Sequence, residues 1–392
     1  MKIAKPLDYA IYDRAADIPG IWDEIAGPEQ RLYRKSIALC EESNLPDMRY
    51  YYVVIQKNGQ PLAIAYFQLL RFGPAHINVP EEPTMAHRFL KGYFSCIKPS
   101  ILVAGHLFRH DHPSFAFSNA LLTPADAFKV YQWCIDKVLR MSHATGVFVK
   151  DCPAIFVPYF QNHACGYRSL PNDIIMEMHI PATWQSFADY EDALKHKYLQ
   201  RSKKVLKSMK QLEVKELEGE VLTGELPNIY KLYRKVAENQ LVAFGYLNET
   251  YFDRLKARLG DAYKVFGFYH KGELVAYSSV LLGEGIYDMY YLGMDYSHNK
   301  TLQLYFNMLF HGLDNAIALK LPRIVMGRTA LEAKAVLGCT PDYLYNFYKV
   351  SNPAIAWIVQ YTQRLFMQQT KPTWQDRHPF KSSLYPSLSA SE

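Results

Sequence analysis

IYDMYYLGMDYSHNKTLQLYFNMLFHGLDNAIALKLPRIVMGRTALEAKAVLG, residues 286 to 338, is the stretch that decides the fold. It opens on a β-rich run, crosses a polar turn, enters a long apolar-striped segment and closes on a short β-rich run followed by a basic turn. Leu302, Tyr305, Phe306, Leu309, Leu313 and Ile317 recur at helical spacing, which predicts one long helix with its stripe on a core.

A shorter cousin, SFAFSNALLTPADAFKVYQWCIDKVLRMSHATGVFVKD, runs from Ser114 to Asp151 in the same order of strand, polar turn, helix and strand. Phe128, Tyr131, Cys134, Ile135, Val138 and Leu139 carry its helical stripe. Each unit follows a hairpin, Tyr50 to Leu70 and Tyr263 to Leu282, with Asn-Gly or Lys-Gly at the two-residue turn. The chain therefore reads as a tandem duplication whose first copy carries an insertion, mostly Phe72 to His110.

With 392 residues, 49% of them apolar, the chain is long enough for two domains with full cores. The expected division is 1–172 for the first domain, 173–350 for the second, and 351–392 for an amphipathic helix and tail. That last segment suits either a membrane surface or docking on its own domain. No signal-peptide-like run opens the sequence, and no stretch reaches the roughly 18 apolar residues of a spanning helix, so a cytoplasmic location is expected. Six scattered cysteines without a Cys-x-x-Cys pair predict reduced thiols.

The net charge of +6 is local. Lys195 to Lys210, KHKYLQRSKKVLKSMK, holds seven Lys or Arg and no acid, with Lys197, Arg201 and Lys204 on one helical face. Such a face suits a phosphate-bearing ligand or an anionic membrane, and equally a solvated helix surface; a general DNA-coating charge is excluded.

Hairpin, strand, helix and strand in this order resemble the GNAT acyltransferase fold. The doubled arrangement, the LKHKYLQRSKK segment, the YYLGMDYSHNKTLQLYF junction and the closing VMGRTALEAKAVLGCTP resemble its tandem FemAB-like branch. The resemblance spans roughly residues 45 to 342 and implies an α/β (α+β) fold of two GNAT-like domains. In each, a mixed, mostly antiparallel sheet has a parallel strand pair that splays apart to admit a donor. It also implies acyl-CoA as co-substrate, or aminoacyl-tRNA, and no metal.

The glycine-bearing GNAT phosphate signature is absent. In its place His298, Asn299, Lys300 and Thr301 follow Ser297 at an expected helix N-terminus, where backbone N–H groups favour an anion; Ser297 or Asn299 could equally cap that helix. Gly327, Arg328 and Lys334 bring two cations beside the implied donor mouth, and Glu332 adds a carboxylate or a plain ion pair. Transfer to an amine needs a base and a proton donor. Strand periodicity puts Asp288 and Tyr290 on one face and Tyr287 and Tyr291 on the other, which makes Asp288 the candidate base and Tyr290 or Tyr291 the candidate acid. His106 and Asp111 in HLFRHD carry a five-residue spacing suited to a His–Asp base pair at the acceptor side. The histidines of that loop lack a zinc pattern.

These readings favour an acyl-thioester-dependent N-acyltransferase acting on a lipid or sphingoid-type amine, peripheral at the inner membrane face. The alternatives are a FemAB-like aminoacyl-tRNA-dependent aminoacyltransferase acting on a cell-wall precursor and a non-catalytic GNAT-like binding protein. The short spacing from Leu212 to Tyr230 leaves no room for the helical hairpin common in the tRNA-dependent enzymes.

Overall fold

Two tight turns fix the strand registers from which each half of the molecule is built. At the first, Asn58 and Gly59 adopt φ of +54° and +76°, and Lys57 pairs with Gln60. At the second, Lys271 and Gly272 adopt +51° and +85°, and His270 pairs with Glu273. Positive φ at both central residues matches the right-handed twist of the flanking strands, which is why Asn-Gly and Lys-Gly stand there.

The computed structural model describes residues 8–79, 83, 85–162, 165–239, 243–283, 285–351, 375 and 377–381. They form two units. The first comprises 8–173, 243–254 and 344–351; the second comprises 174–239, 255–343 and the pieces at 375–381. The expected amphipathic tail lies almost entirely outside the described residues.

In chain order the first unit holds β1 (Asp8–Tyr12), α1 (Ile21–Ala26), α2 (Arg34–Glu42), β2 (Met48–Lys57), β3 (Gln60–Arg71), α3 (Met85–Cys96), β4 (Ser100–Ala104), β5 (Phe115–Phe117), α4 (Pro124–Met141), β6 (Gly146–Val149) and α5 (Val157–Gln161). β7 (Arg168–His179) leads into the second unit. After it come α6 (Phe187–Ala193), α7 (His196–Met209), β8 (Glu213–Glu216), α8 (Gly219–Ala237), α9 (Glu249–Leu259), β9 (Tyr263–His270), β10 (Glu273–Gly283), β11 (Ile286–Met294), α10 (Tyr296–Leu302), α11 (Leu304–Ala318), β12 (Arg323–Gly327), α12 (Leu331–Leu337) and β13 (Thr340–Val350), of which residues 249–254 of α9 and 344–350 of β13 belong to the first unit.

The first unit's strands run in the order β1, β2, β3, β4, β6 and the end of β13, with β5 also on β3. The second unit's run β7, β12, β11, β10, β9, β8. In each, one pair is parallel, β4 with β6 and β11 with β12, and every other pairing with a described register is antiparallel. Helices α4 and α11 bury their stripes against these sheets: Phe128, Tyr131, Cys134, Ile135 and Val138 in one core, Leu309, Leu313 and Ile317 in the other. Each unit is thus a GNAT-like mixed sheet flanked by helices.

The sequence reading needs correction at several points. The segment from Trp22 to Cys40, which reads as one helix in the sequence, forms two, because Gly27 turns to φ +57° ahead of Pro28. Pro227, which the sequence offers as the start of a helix running to Asn239, lies inside α8. The long helix of the opening stretch is broken at Gln303, which sits at φ +48°, so Leu302 belongs to α10 and Tyr305 and Phe306 to α11.

The most consequential correction concerns the first copy. Its parallel strand is β4 at 100–104, inside the stretch read as insertion, while Phe115–Phe117 is its continuation on β3. The registers superpose the two copies residue by residue: Ile101 on Gly146 corresponds to Ile286 on Arg323, and Val103 on Phe148 to Asp288 on Val325. Phe67 then faces Ala104 as Val280 faces Met289, and Ala65 faces Phe115 as Ser278 faces Leu292. The two residues bulged out in the second unit, Tyr290 and Tyr291, become residues 105–114 in the first.

Candidate active site

β11 and β12 hydrogen-bond only from Ile286–Arg323 to Asp288–Val325. Beyond that point β11 follows β10 to Met294 and β12 follows β7 to Gly327, so the two strands part. Asp288, half-buried, stands where they separate.

The register on β10 slips just past this point, since Val280 pairs with Met289 but Ser278 with Leu292. The extra residue is a β-bulge, which bends a strand and re-aims its side chains. Ser279 pins it: its hydroxyl accepts from the Tyr291 N–H at 3.1 Å and donates to the Tyr291 carbonyl at 2.9 Å. The bulge also overturns the expected alternation of faces. Tyr287 is buried and accepts from the Asn315 amide of α11 at 3.4 Å, whereas the Tyr291 ring meets Tyr233 of α8, centroids 5.3 Å apart. Tyr290 and Tyr291 lie edge to face at 4.5 Å. Tyr291 has thus moved to the face opposite Tyr287, the side of Asp288.

α8 crosses this strand closely because of Gly293. A Cβ there would lie 2.5 Å from the Leu232 carbonyl carbon and 2.6 Å from the Tyr233 nitrogen. The sequence signal for that approach is Gly293 itself, since a glycine inside a strand often marks a close backbone approach.

The junction after β11 is built differently from the expected anion cradle. Asp295 caps α10, accepting from the Ser297 N–H at 3.0 Å and the Ser297 hydroxyl at 2.7 Å. Lys235 of α8 pairs with it at 2.7 Å, and the hydrogen bonds from Lys235 and Ser297 hold its carboxyl well below the usual range. Asn299 is committed to α11, where its Oδ1 accepts from the Tyr305 N–H at 3.0 Å. His298 is half-buried, its ring 5.9 Å from that of His270, while Lys300 and Thr301 are exposed. The αL break at Gln303 is held by Ser208 of α7 and Asn307 of α11, which donate to the Leu302 carbonyl at 3.0 and 2.7 Å.

Those bonds anchor α7 beside the junction with Lys197, Arg201 and Lys204 outward. The Arg201 guanidinium lies over the Phe306 ring in the first turn of α11, 4.8 Å from its centroid.

At the end of β12, Gly327 takes φ +83° and its carbonyl accepts from the Lys334 ammonium at 2.9 Å. Lys334 is 2% exposed, and burial draws its pKa down to about 7. Arg328 follows, half-buried. Glu332 binds Arg377 and the Gln375 N–H at 2.7 and 3.0 Å, which makes it a clamp on the 375–381 segment. Among the described residues no group of three or more His, Cys, Asp or Glu side chains is arranged to hold a metal ion.

The sequence profile of a family described by its role in peptidoglycan biosynthesis and recognition, the FemAB-like family, matches residues 156–382, more than half of the chain. The chain belongs to the FemAB-like family. A crystal structure of FemX is similar in fold to this FemAB-like chain, with a TM-score of 0.52 at 9% identity over 83% of this chain and 93% of FemX. A tandem GNAT protein from the clavulanic acid biosynthesis pathway is 11% identical over 89% and 99% of the two chains, TM-score 0.49. The C-terminal domain of a putative lysylphosphatidylglycerol synthetase from Agrobacterium fabrum is 10% identical over 84% and 91%, TM-score 0.46. No functionally curated protein sequence matches. Family and fold place the FemAB-like chain among acyl- and aminoacyltransferases in general, with the tandem GNAT architecture the sequence suggested.

In the first unit of this FemAB-like protein the position of the bulge is filled by its own loop. His106 is 2% exposed, its Nδ1 accepting from the Phe108 N–H at 3.1 Å and its Nε2 facing the Cys40 sulfur at 3.5 Å. Burial lowers its pKa well below the ordinary value, and that of neighbouring His112 likewise. Asp111 lies at the surface on Arg31, 3.3 Å away. With both ring nitrogens of His106 directed elsewhere, the expected His106–Asp111 pair is not formed. A buried ion pair, Lys150 with Asp151, closes the loop: Lys150 donates to the Arg109 carbonyl and Asp151 accepts from the Asp111 N–H, at 2.6 and 2.9 Å.

Proposed function

We propose that this FemAB-like protein is an N-acyltransferase whose second unit takes an acyl thioester between β11 and β12 and passes the acyl group to an amine. The observation that carries this reading is the parting of those strands at Asp288, with a pinned bulge on one side and the Lys334 ammonium on the other. In the reaction the amine nitrogen attacks the thioester carbonyl carbon and the carbon–sulfur bond breaks. The amine's proton passes to the Asp288 carboxylate, and a hydroxyl of Tyr290 or Tyr291 protonates the leaving thiolate. Lys334 and Arg328 favour charge developing on the donor, with the Gly327 turn setting their distance. The aromatic bulge suits a long-chain donor and a lipid or sphingoid-type amine acceptor.

A second reading, transfer from aminoacyl-tRNA to a cell-wall precursor, is favoured by the family description and by the exposed cations of α7. The acid at the α10 cap also argues against a pyrophosphate gripped at that helix end and leaves the donor's phosphates to Lys197, Arg201, Lys204 and Lys300.

Thermal stabilisation separates the readings, because a ligand that binds only the native state raises the melting temperature. Long-chain acyl-CoA is expected to raise it by several degrees, and free coenzyme A by less. A shift with aminoacyl-tRNA and none with thioesters would transfer the assignment to the second reading. No shift with either would mean a non-catalytic binding protein. In either catalytic case, Lys197→Glu with Lys204→Glu is expected to weaken donor binding roughly tenfold at low salt, fading as ionic strength rises. Unchanged affinity at low salt would return α7 to an ordinary solvated face.

A further inference from the structure

The copies differ most in the connection before the parallel strand. In the second unit β10 pairs with β11 up to Gly283–Ile286, so residues 284–285 suffice to close the hairpin. In the first unit β3 pairs with β4 up to Arg71–Ser100, and residues 72–99 bridge the same geometric step. The sheet does not need this excursion, and its cost in chain entropy grows only slowly with length.

The excursion carries α3, which is attached along one edge. Phe94 packs against Phe72, ring centroids 4.8 Å apart, in a small cluster with Leu70 and Ile77. Another side stays in solvent. Met85 is 84% exposed, Cys96 shares its side three turns later and is exposed, and Ile97 just beyond is 43% exposed. Arg88, Lys91 and Lys98 are exposed beside this apolar edge. From Pro83 to His110 the sequence has no acid.

We infer that α3 is a membrane-docking element, laying the Met85–Cys96–Ile97 edge into the headgroup boundary of an anionic bilayer. Charge complementarity selects this occupant. An apolar edge flanked by three cations over an acid-free stretch matches a surface that is apolar beneath and negative above, and lipid is a partner that accepts so narrow a stripe. One such helix gives modest, reversible binding, suited to a protein that visits the membrane. The inference does not rest on the acyl-transfer reading, since a non-catalytic protein could dock in the same way.

The test is flotation of the full chain with vesicles of phosphatidylglycerol and phosphatidylcholine, beside vesicles of phosphatidylcholine alone. Binding is expected only with the anionic mixture and should weaken with salt. Met85→Asp with Ile97→Asp is expected to lower partitioning roughly tenfold or more, and Arg88→Glu with Lys91→Glu to abolish the preference for anionic lipid. These side chains are exposed, so melting temperatures should match the wild type. A polarity-sensitive dye on Cys96 in a Cys165→Ser background should shift to the blue when anionic vesicles are added, which localises the contact to α3. A wild type that stays with the unbound fraction, or aspartate variants that float as well as it does, would overturn the inference. A concentration-dependent dimer that the aspartate pair dissolves, without vesicle binding, would assign the edge to a second copy of the chain instead.

Discussion

Asp288→Asn is expected to cut transfer by about 100- to 10,000-fold while leaving the melting temperature within a few degrees of the wild type. The change keeps the shape of the side chain and removes its charge, and with it the capacity to take a proton. Asp288 is the last residue of β11 paired to β12, so its backbone is fixed on both sides by ladder bonds while its side chain stands at the opening. Tyr290→Phe and Tyr291→Phe extend the test. Whichever hydroxyl protonates the leaving group should lose turnover with little change in donor affinity, and the other should stay near the wild type. Neither substitution touches the bulge itself, which hangs on the Ser279 hydroxyl and the Tyr291 backbone. Full activity in Asp288→Asn would remove it as the base, and a collapse of the melting temperature would make it a structural residue.

What the sequence disclosed and what it concealed divide along a physical line. The hairpins were legible because Asn58-Gly59 and Lys271-Gly272 need positive φ, a local demand written in the residues that meet it. The stripes of α4 and α11 were legible because burial imposes a period. The bulge was not, since it arises from a register slip between two strands and no period within β11 records it; strict alternation put Tyr291 on the wrong face. The break at Gln303 escaped for a similar reason. It depends on Ser208 and Asn307 holding the Leu302 carbonyl from other turns and another helix. In the first copy the strand was misplaced because ten residues loop out between β4 and β5, a long-range closure made by Lys150 and Asp151. His106 reads as half of a His–Asp base pair on spacing alone, and only its packing against Cys40 shows it to be interior.

Comparison of the copies gives the loop a meaning that its spacing could not. In the first unit the cation at the exit of the second parallel strand, Lys150, is neutralised by Asp151 and capped by the loop's own Arg109 carbonyl. In the second unit the cation beside the equivalent exit, Lys334, has the Gly327 carbonyl as its hydrogen-bond acceptor, and among the described residues no carboxylate raises its pKa. The first position is satisfied from within, and in the proposed reaction the second meets negative charge brought by the donor. This asymmetry supports assigning the donor to the second unit.

Lys334→Met should therefore make the protein more stable and less active. Burying an ammonium with few acceptors is costly, so its removal is expected to add roughly 1–3 kcal/mol of stability near neutral pH. The sign of the pH dependence follows from the shift from 10.5 to about 7. Between those values the unfolded chain holds the proton and the native chain does not, so the wild type gains stability as pH rises through that window. Below about 7 the charged amine is buried at full cost, and above 10.5 the cost is gone. The methionine variant should lack this slope, with its advantage largest on the acid side. Activity should run the other way: the protonated amine favours negative charge on the donor, so wild-type donor affinity falls as pH climbs past about 7, and the variant's loss of about 100- to 1,000-fold in transfer is expected below that pH and shrinks above it. Melting curves from pH 6 to 10, measured beside transfer rates, test both halves. A variant that is less stable and equally active would make Lys334 a packing residue that merely ties down the Gly327 turn.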